Sequence, residues 1–166
     1  MAIIGGKYDT EGEERPFQLG IFESDVTELV GADEQVDQND YGAHVAVNLH
    51  GSGEVLGAHF ISSGGDILTP AGKLLIFNAA VTVAAGDTSI TLTERRELCG
   101  WIEVAASDWQ SDANGASVYY ESQPVAYDDD DLYMVWFHED ATSINSDAQD
   151  DEVLEVNLFY RLDHRE

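Results

Sequence analysis

Apolar residues in this chain come in short runs, rich in β-branched and aromatic side chains and broken by Gly, Asp, Asn and Ser, with no long stretch at helical spacing. Strands are predicted over 17–22, 44–50, 54–61, 73–78, 88–93, 98–105, 116–121, 132–138 and 153–162. In the last of these, Leu154, Val156, Leu158 and Tyr160 alternate with Glu155, Asn157, Phe159 and Arg161, which turns the first set inward and the second outward. A similar period of two runs through 88–93. Residues 132–137, Leu-Tyr-Met-Val-Trp-Phe, are apolar on both faces, as in a central strand covered on both sides or one lying against another subunit.

The breaks carry turn chemistry. Gly51-Ser52-Gly53 is expected at a hairpin tip, Ala85-Gly86-Asp87 turns into the next run, and Asp112-Ala113-Asn114-Gly115 contains an Asn-Gly pair suited to positive φ. Residues 105–109 are predicted as a short helical turn capped by Ser107 or Asp108. In 25–38, Val26, Leu29 and Val30 stand near helical spacing among acids, so a short helix and an ordered loop are both open. The fold class is all-β, a sandwich or barrel of about eight to nine strands.

Composition adds one strong constraint. The 166 residues fit one domain and 43% are apolar, enough to bury a core, yet 33 acids face only 7 Lys and Arg for a formal charge of −26. Nucleic acid and anionic membrane are poor partners for such a surface, because both are bound through Lys and Arg. Self-repulsion falls as salt shortens the screening length from about 30 Å at 0.01 M to about 3 Å at 1 M, so a halophilic or marine setting is expected. The first seven residues lack a basic segment followed by an apolar core, and no run approaches the roughly 20 apolar residues of a membrane span. A protein of this kind working outside a cell would leave by lysis or within a particle. Cys99 is the single cysteine, which excludes an intramolecular disulfide and a thiolate metal cluster; a small buried hydrophobe is the expected role.

Catalytic patterns are sparse. The run Asp128-Asp129-Asp130-Asp131 offers hard oxygen ligands but no EF-hand spacing, leaving a solvated loop or a cation site. His44, His50, His59, His138 and His164 form no HExxH and are expected as satisfied sheet histidines. There is no GxSxG elbow, GxxxxGK[ST] loop or GxGxxG turn. Two carboxylates suffice for a glycosidase, but among 33 acids proximity of two carries no information. Trp101, Trp109, Trp136 and Tyr119-Tyr120 could form a sugar-stacking platform, which makes a carbohydrate-binding or receptor-binding module the rival reading.

From about residue 57 to 161 the order of segments resembles the capsid decoration, or cement, proteins of tailed double-stranded DNA viruses. The resemblance rests on Lys73-Leu74-Leu75-Ile76-Phe77-Asn78-Ala79-Ala80, on Ala85-Gly86-Asp87-Thr88-Ser89-Ile90-Thr91-Leu92 and on Gly100-Trp101-Ile102-Glu103-Val104-Ala105-Ala106-Ser107-Asp108-Trp109. Leu132-Tyr133-Met134-Val135 and 153–160 take the places of a strand like "LYV" and of the C-terminal strand. The resemblance implies a jelly-roll-like β-sandwich, commonly a homotrimer, on the exterior of the virion, bound to the major capsid protein where its subunits meet. It implies no enzyme and no cofactor. Residues 1–40 lie outside it and are expected as an N-terminal arm with an acidic loop or short helix, leaving 41–166 as the sandwich. Phe17, Leu19 and Ile21 on the arm, with Tyr133, Val135 and Phe137 on the doubly apolar strand, are the expected capsid or subunit contacts.

Overall fold

A computed structural model describes residues 20–64, 68–128, 131–147 and 150–163. Among them are ten strands: β1 (Phe22–Glu23), β2 (Thr27–Val30), β3 (Val45–Asn48), β4 (Gly53–Ser63), β5 (Gly72–Phe77), β6 (Leu98–Val104), β7 (Gln110–Ser111), β8 (Ala116–Tyr127), β9 (Asp131–His138) and β10 (Val153–Leu162). A four-residue helix, α1 (Leu92–Arg95), precedes β6, and a 3₁₀ turn (Ala106–Asp108) follows it. The strands form two antiparallel sheets, one of order β1-β10-β4-β8-β7 with β2 also on β10, the other β3-β9-β5-β6.

The alternation of β10 places its side chains as its sequence predicts. Leu154, Val156, Leu158 and Tyr160 are buried in the core with Phe60 of β4, Val118 of β8, Leu74 and Ile76 of β5 and Met134 and Trp136 of β9. Phe60 and Trp136 meet across the two sheets with ring centroids 6.0 Å apart. Asn157 departs from the outward set: it too is buried, with its amide donating to Glu23 Oε1 at 3.1 Å.

β9 resolves its own ambiguity. Leu132, Met134 and Trp136 face the core between the sheets, while Val135 belongs to a second buried cluster with Tyr41, Phe77, Val81, Val83 and Ile90. The chain covers this outer face itself, with the segment between β5 and α1 and with Tyr41, whose ring lies 4.9 Å from that of Phe137. Each aliphatic side chain so buried contributes about 1.5–3 kcal/mol.

Several expectations are corrected. Residues 88–93 form no strand: Thr91 accepts the Glu94 amide and the Glu94 carboxylate accepts the Thr91 amide, a capping box that starts α1. Within 25–38 the regular element is β2, because Leu29 and Val30 gain more by joining the core along β10 than helical spacing offers. Gly51–Gly53 is no hairpin tip, since β3 and β4 lie in different sheets; it crosses between them, with His50 and Gly51 at φ 61 and 126. The Asn114-Gly115 turn does join β7 to β8, but through an Asp112 carboxylate that accepts the Asn114 amide at 2.7 Å rather than through positive φ. The 3₁₀ turn has no side-chain cap; Asp108 instead accepts the Tyr120 hydroxyl, which accepts the Ala105 amide. The described part of the expected arm is integral to the sandwich: β1 and β2 pair with β10, and Leu29, Val30 and Val36 are core residues.

Candidate functional site

Of the six expected contact residues, Phe17 and Leu19 lie outside the described residues. Ile21 is 36% exposed and leads into β1 at the edge of the six-stranded sheet, whereas Tyr133, Val135 and Phe137 share the outer face of the four-stranded sheet. Val135 is fully buried by the chain itself, and Tyr133 and Phe137 are half-buried. Of the four described, Ile21, at the lead into β1, and the three β9 residues therefore stand at different sheets.

The same outer face opens toward its edge. In register, Val135 of β9 faces Leu75 of β5, and Leu75 faces Trp101 of β6. Cover thins along that row, from buried Val135 through half-buried Leu75 to Trp101, which is 51% exposed. From sequence Trp101 stands among the candidate sugar-stacking aromatics and in a resembling segment; what marks it in the fold is its place on an edge strand.

The aromatic residues proposed as a sugar platform are dispersed. Trp109 and Trp136 are core residues, their indole N–H groups donating to the Pro70 carbonyl at 3.0 Å and to His138 Nδ1 at 3.3 Å. Tyr120 is half-buried and tied to Asp108, so only Trp101 and Tyr119 of the set are open, on different sheets. Tyr119 is 61% exposed, but one face of its ring lies parallel to His59 at 3.9 Å, and Phe159 stands 6.0 Å away at 15°. Gly57 stands opposite Phe159 on the central strand.

A second feature was not found from sequence. Among the described residues Lys73 pairs with Glu139 at 3.4 Å and Arg161 with Glu54, while Arg95 and Arg96 at the end of α1 have no acid partner. The nearest candidate, Glu94, is already used. One carboxylate oxygen accepts the Thr82 amide and hydroxyl at 2.6 and 3.0 Å, the other the Thr91 amide and hydroxyl at 3.1 and 2.8 Å. These bonds hold its carboxyl down at about 2. Leu92 beside them is 68% exposed. The signal for this site was present in Thr91-x-x-Glu94, a capping-box pattern that commits the acid to its own helix.

His44 and His138 are hydrogen-bonded within the fold, whereas His50 lies exposed outside the strands and His59 is not fully satisfied. His44 Nδ1 meets the Val83 carbonyl at 2.9 Å. His138 is buried, accepts the Trp136 N–H at Nδ1 and meets the Thr142 carbonyl at 2.8 Å through Nε2, so it is the neutral Nε2–H tautomer. Burial holds it below its ordinary value against the pull of the Thr142 carbonyl, Asp140, Asp37 and Asp40. His59 is lowered by burial too, with Glu23 and Asn157 opposing; its Nε2 is buried without a hydrogen bond. His164 lies outside the described residues, as do Asp129 and Asp130 of the acidic run. Among the described residues no three His, Cys, Asp or Glu side chains are grouped to hold a metal ion. A depression of about 190 Å³ lined by Leu68, Thr69, Pro70, Asp140 and Thr142 is smaller than the roughly 300–1,000 Å³ of small-molecule sites. Cys99 is half-buried and its thiol is pushed up by burial and by Asp128 and Glu97, which suits an inert side chain.

No protein-family model, curated protein or solved structure matches the chain.

Proposed function

We propose that this chain is a virion structural protein, a capsid decoration or cement protein that binds the major capsid protein on the exterior of an icosahedral head and works as a homotrimer. The observation that carries the reading is where the resembling segments lie. Residues 73–80 contain β5, 85–92 belong to the segment that covers the outer face, 100–109 contain most of β6, and 132–135 begin β9. β9, β5 and β6 are adjacent in one sheet, and the row Val135–Leu75–Trp101 ends in the exposed indole at its edge. A protein acting by contact needs an apolar surface partly free of its own chain, rimmed by polar groups. Many copies on a closed shell then supply through multivalency what one modest interface does not. A jelly-roll strand order and the halophilic host belong to the same proposal. The acidic surface supports a partner other than nucleic acid or anionic membrane.

The test is to assemble particles with and without the protein and to measure thermal and osmotic rupture. Earlier rupture in its absence is expected; unchanged rupture removes the clamping role.

A further inference from the structure

Two bodies that each carry a formal charge of −26 repel unless cations stand where they touch. The described chain offers four such side chains, and two of them, Lys73 and Arg161, are neutralised by acids of their own copy. The remaining two are neighbours on α1, exposed, and accompanied by Leu92.

We propose that α1 and the adjoining edge of β6 form the contact by which one copy of this chain docks on the acidic surface of a second copy, with Leu92 and Trp101 as its apolar centre and Arg95 and Arg96 as its charge anchors. This rests on the self-association in the proposed function and not on the capsid.

Three observations converge. First, Leu92 and Trp101 are exposed large apolar residues, at 68% and 51%, and α1 lies two residues before the strand that carries Trp101. Second, among the described residues the arginines form no ion pair, and the acid on their own helix is engaged: Glu94 accepts four hydrogen bonds from Thr82 and Thr91. Third, those bonds tie α1 to the segment covering the outer face, so the contact is held in place before binding and loses little freedom on docking. Trp and Arg are the residue types that carry most interface energy.

The occupant follows from charge complementarity. With 33 acids against 7 bases, every copy presents acidic surface to Arg95 and Arg96 of a neighbour. Where the acids they meet lie outside α1 and β6, the contact is heterologous, and repetition around an axis closes it into a ring.

The experiment is light scattering after size exclusion on the full chain in molar salt, across a concentration series, for wild type, R95E/R96E, R95K/R96K and L92S. Wild type is expected to self-associate. R95E/R96E is expected to weaken association by about threefold or more even under this screening, since two favourable charge contacts become repulsive, and L92S to weaken it as well. R95K/R96K is expected to retain it within about threefold. The melting curve of R95K/R96K should match wild type, because among the described residues neither side chain has an acid partner and the charge at the helix end is kept. A wild type that stays monomeric throughout overturns the proposal, and so does an R95E/R96E variant that associates like wild type. Capsid binding is measured separately by co-sedimentation, so a failure here is distinguishable from a failure of the capsid reading.

Discussion

Replacing Asn145 by Ala should cost more than any surface substitution in this chain. Asn145 is buried at φ 53, a left-handed conformation, and its side chain clasps two loops. Its amide donates at 2.9 Å to the carbonyls of Gly31, Glu34 and Glu152, and its carbonyl accepts the Glu152 amide at 2.8 Å. The Asn145 amide also reaches Glu152 Oε2 at 2.6 Å, a bond the substitution spares. Beside the clasp, Val36 and Ile144 exchange backbone bonds at 3.1 and 3.0 Å. Two side-chain N–H groups and one carbonyl are lost, about 1 kcal/mol net for each, or about 3 kcal/mol. Alanine at positive φ adds about 1 kcal/mol, giving about 4 kcal/mol. At about 2–4 °C per kcal/mol for a domain of this size, the melting midpoint should fall by roughly 12 °C. N145G relieves the backbone and should recover about 1 kcal/mol of that. N145D keeps the shape but replaces donors by a charge beside Glu152 and should be no better than Ala. Thermal unfolding followed by circular dichroism in molar salt measures all three. An N145A midpoint within about 3 °C of wild type would refute the reasoning.

Three further outcomes are expected. Gly57→Ala places a Cβ 2.1 Å from the Tyr120 carbonyl oxygen on β8, which should destabilise by roughly 3 kcal/mol; a neutral result in urea unfolding contradicts the packing of β4 on β8. As pH falls below 6.5, the unfolded chain binds protons that buried His138 and half-buried His59 resist, so stability present at neutral pH is lost toward their lowered values. Urea midpoints should drop between about pH 7.5 and 5.5, and H59F should keep most of the drop because His138 is the more deeply buried. Finally, the charge of −26 requires the melting temperature to rise from low salt to molar salt, and a flat response ends the halophile argument.

The parts of the fold that depend on local alternation were legible in the sequence, as β10 shows: its predicted span and its inward set are both observed. Elements decided by distant partners were not. In isolation 25–38 leaves a short helix and an ordered loop both open, and 27–30 becomes a strand because β10, more than a hundred residues later, offers an edge. The Asn145 clasp joins residues separated by 114 and 111 positions, so no local pattern announces it. At 88–93 two local signals competed, strand alternation and the Thr91–Glu94 capping box, and Thr82 decided the contest by bonding the same carboxylate. The open edge at Trp101 was invisible for a related reason: exposure depends on where the covering segment stops. The unpaired arginines could be seen in sequence but not their lack of partners, which requires knowing that Glu94 is occupied.

The central claim is that this chain binds a capsid, and co-sedimentation with purified empty capsids in molar salt, with copies counted per particle, tests it most directly. The account predicts saturable binding at a fixed number of symmetry-related sites. A protein that stays in the supernatant with every capsid preparation, and instead retains glycans on an array, would contradict it.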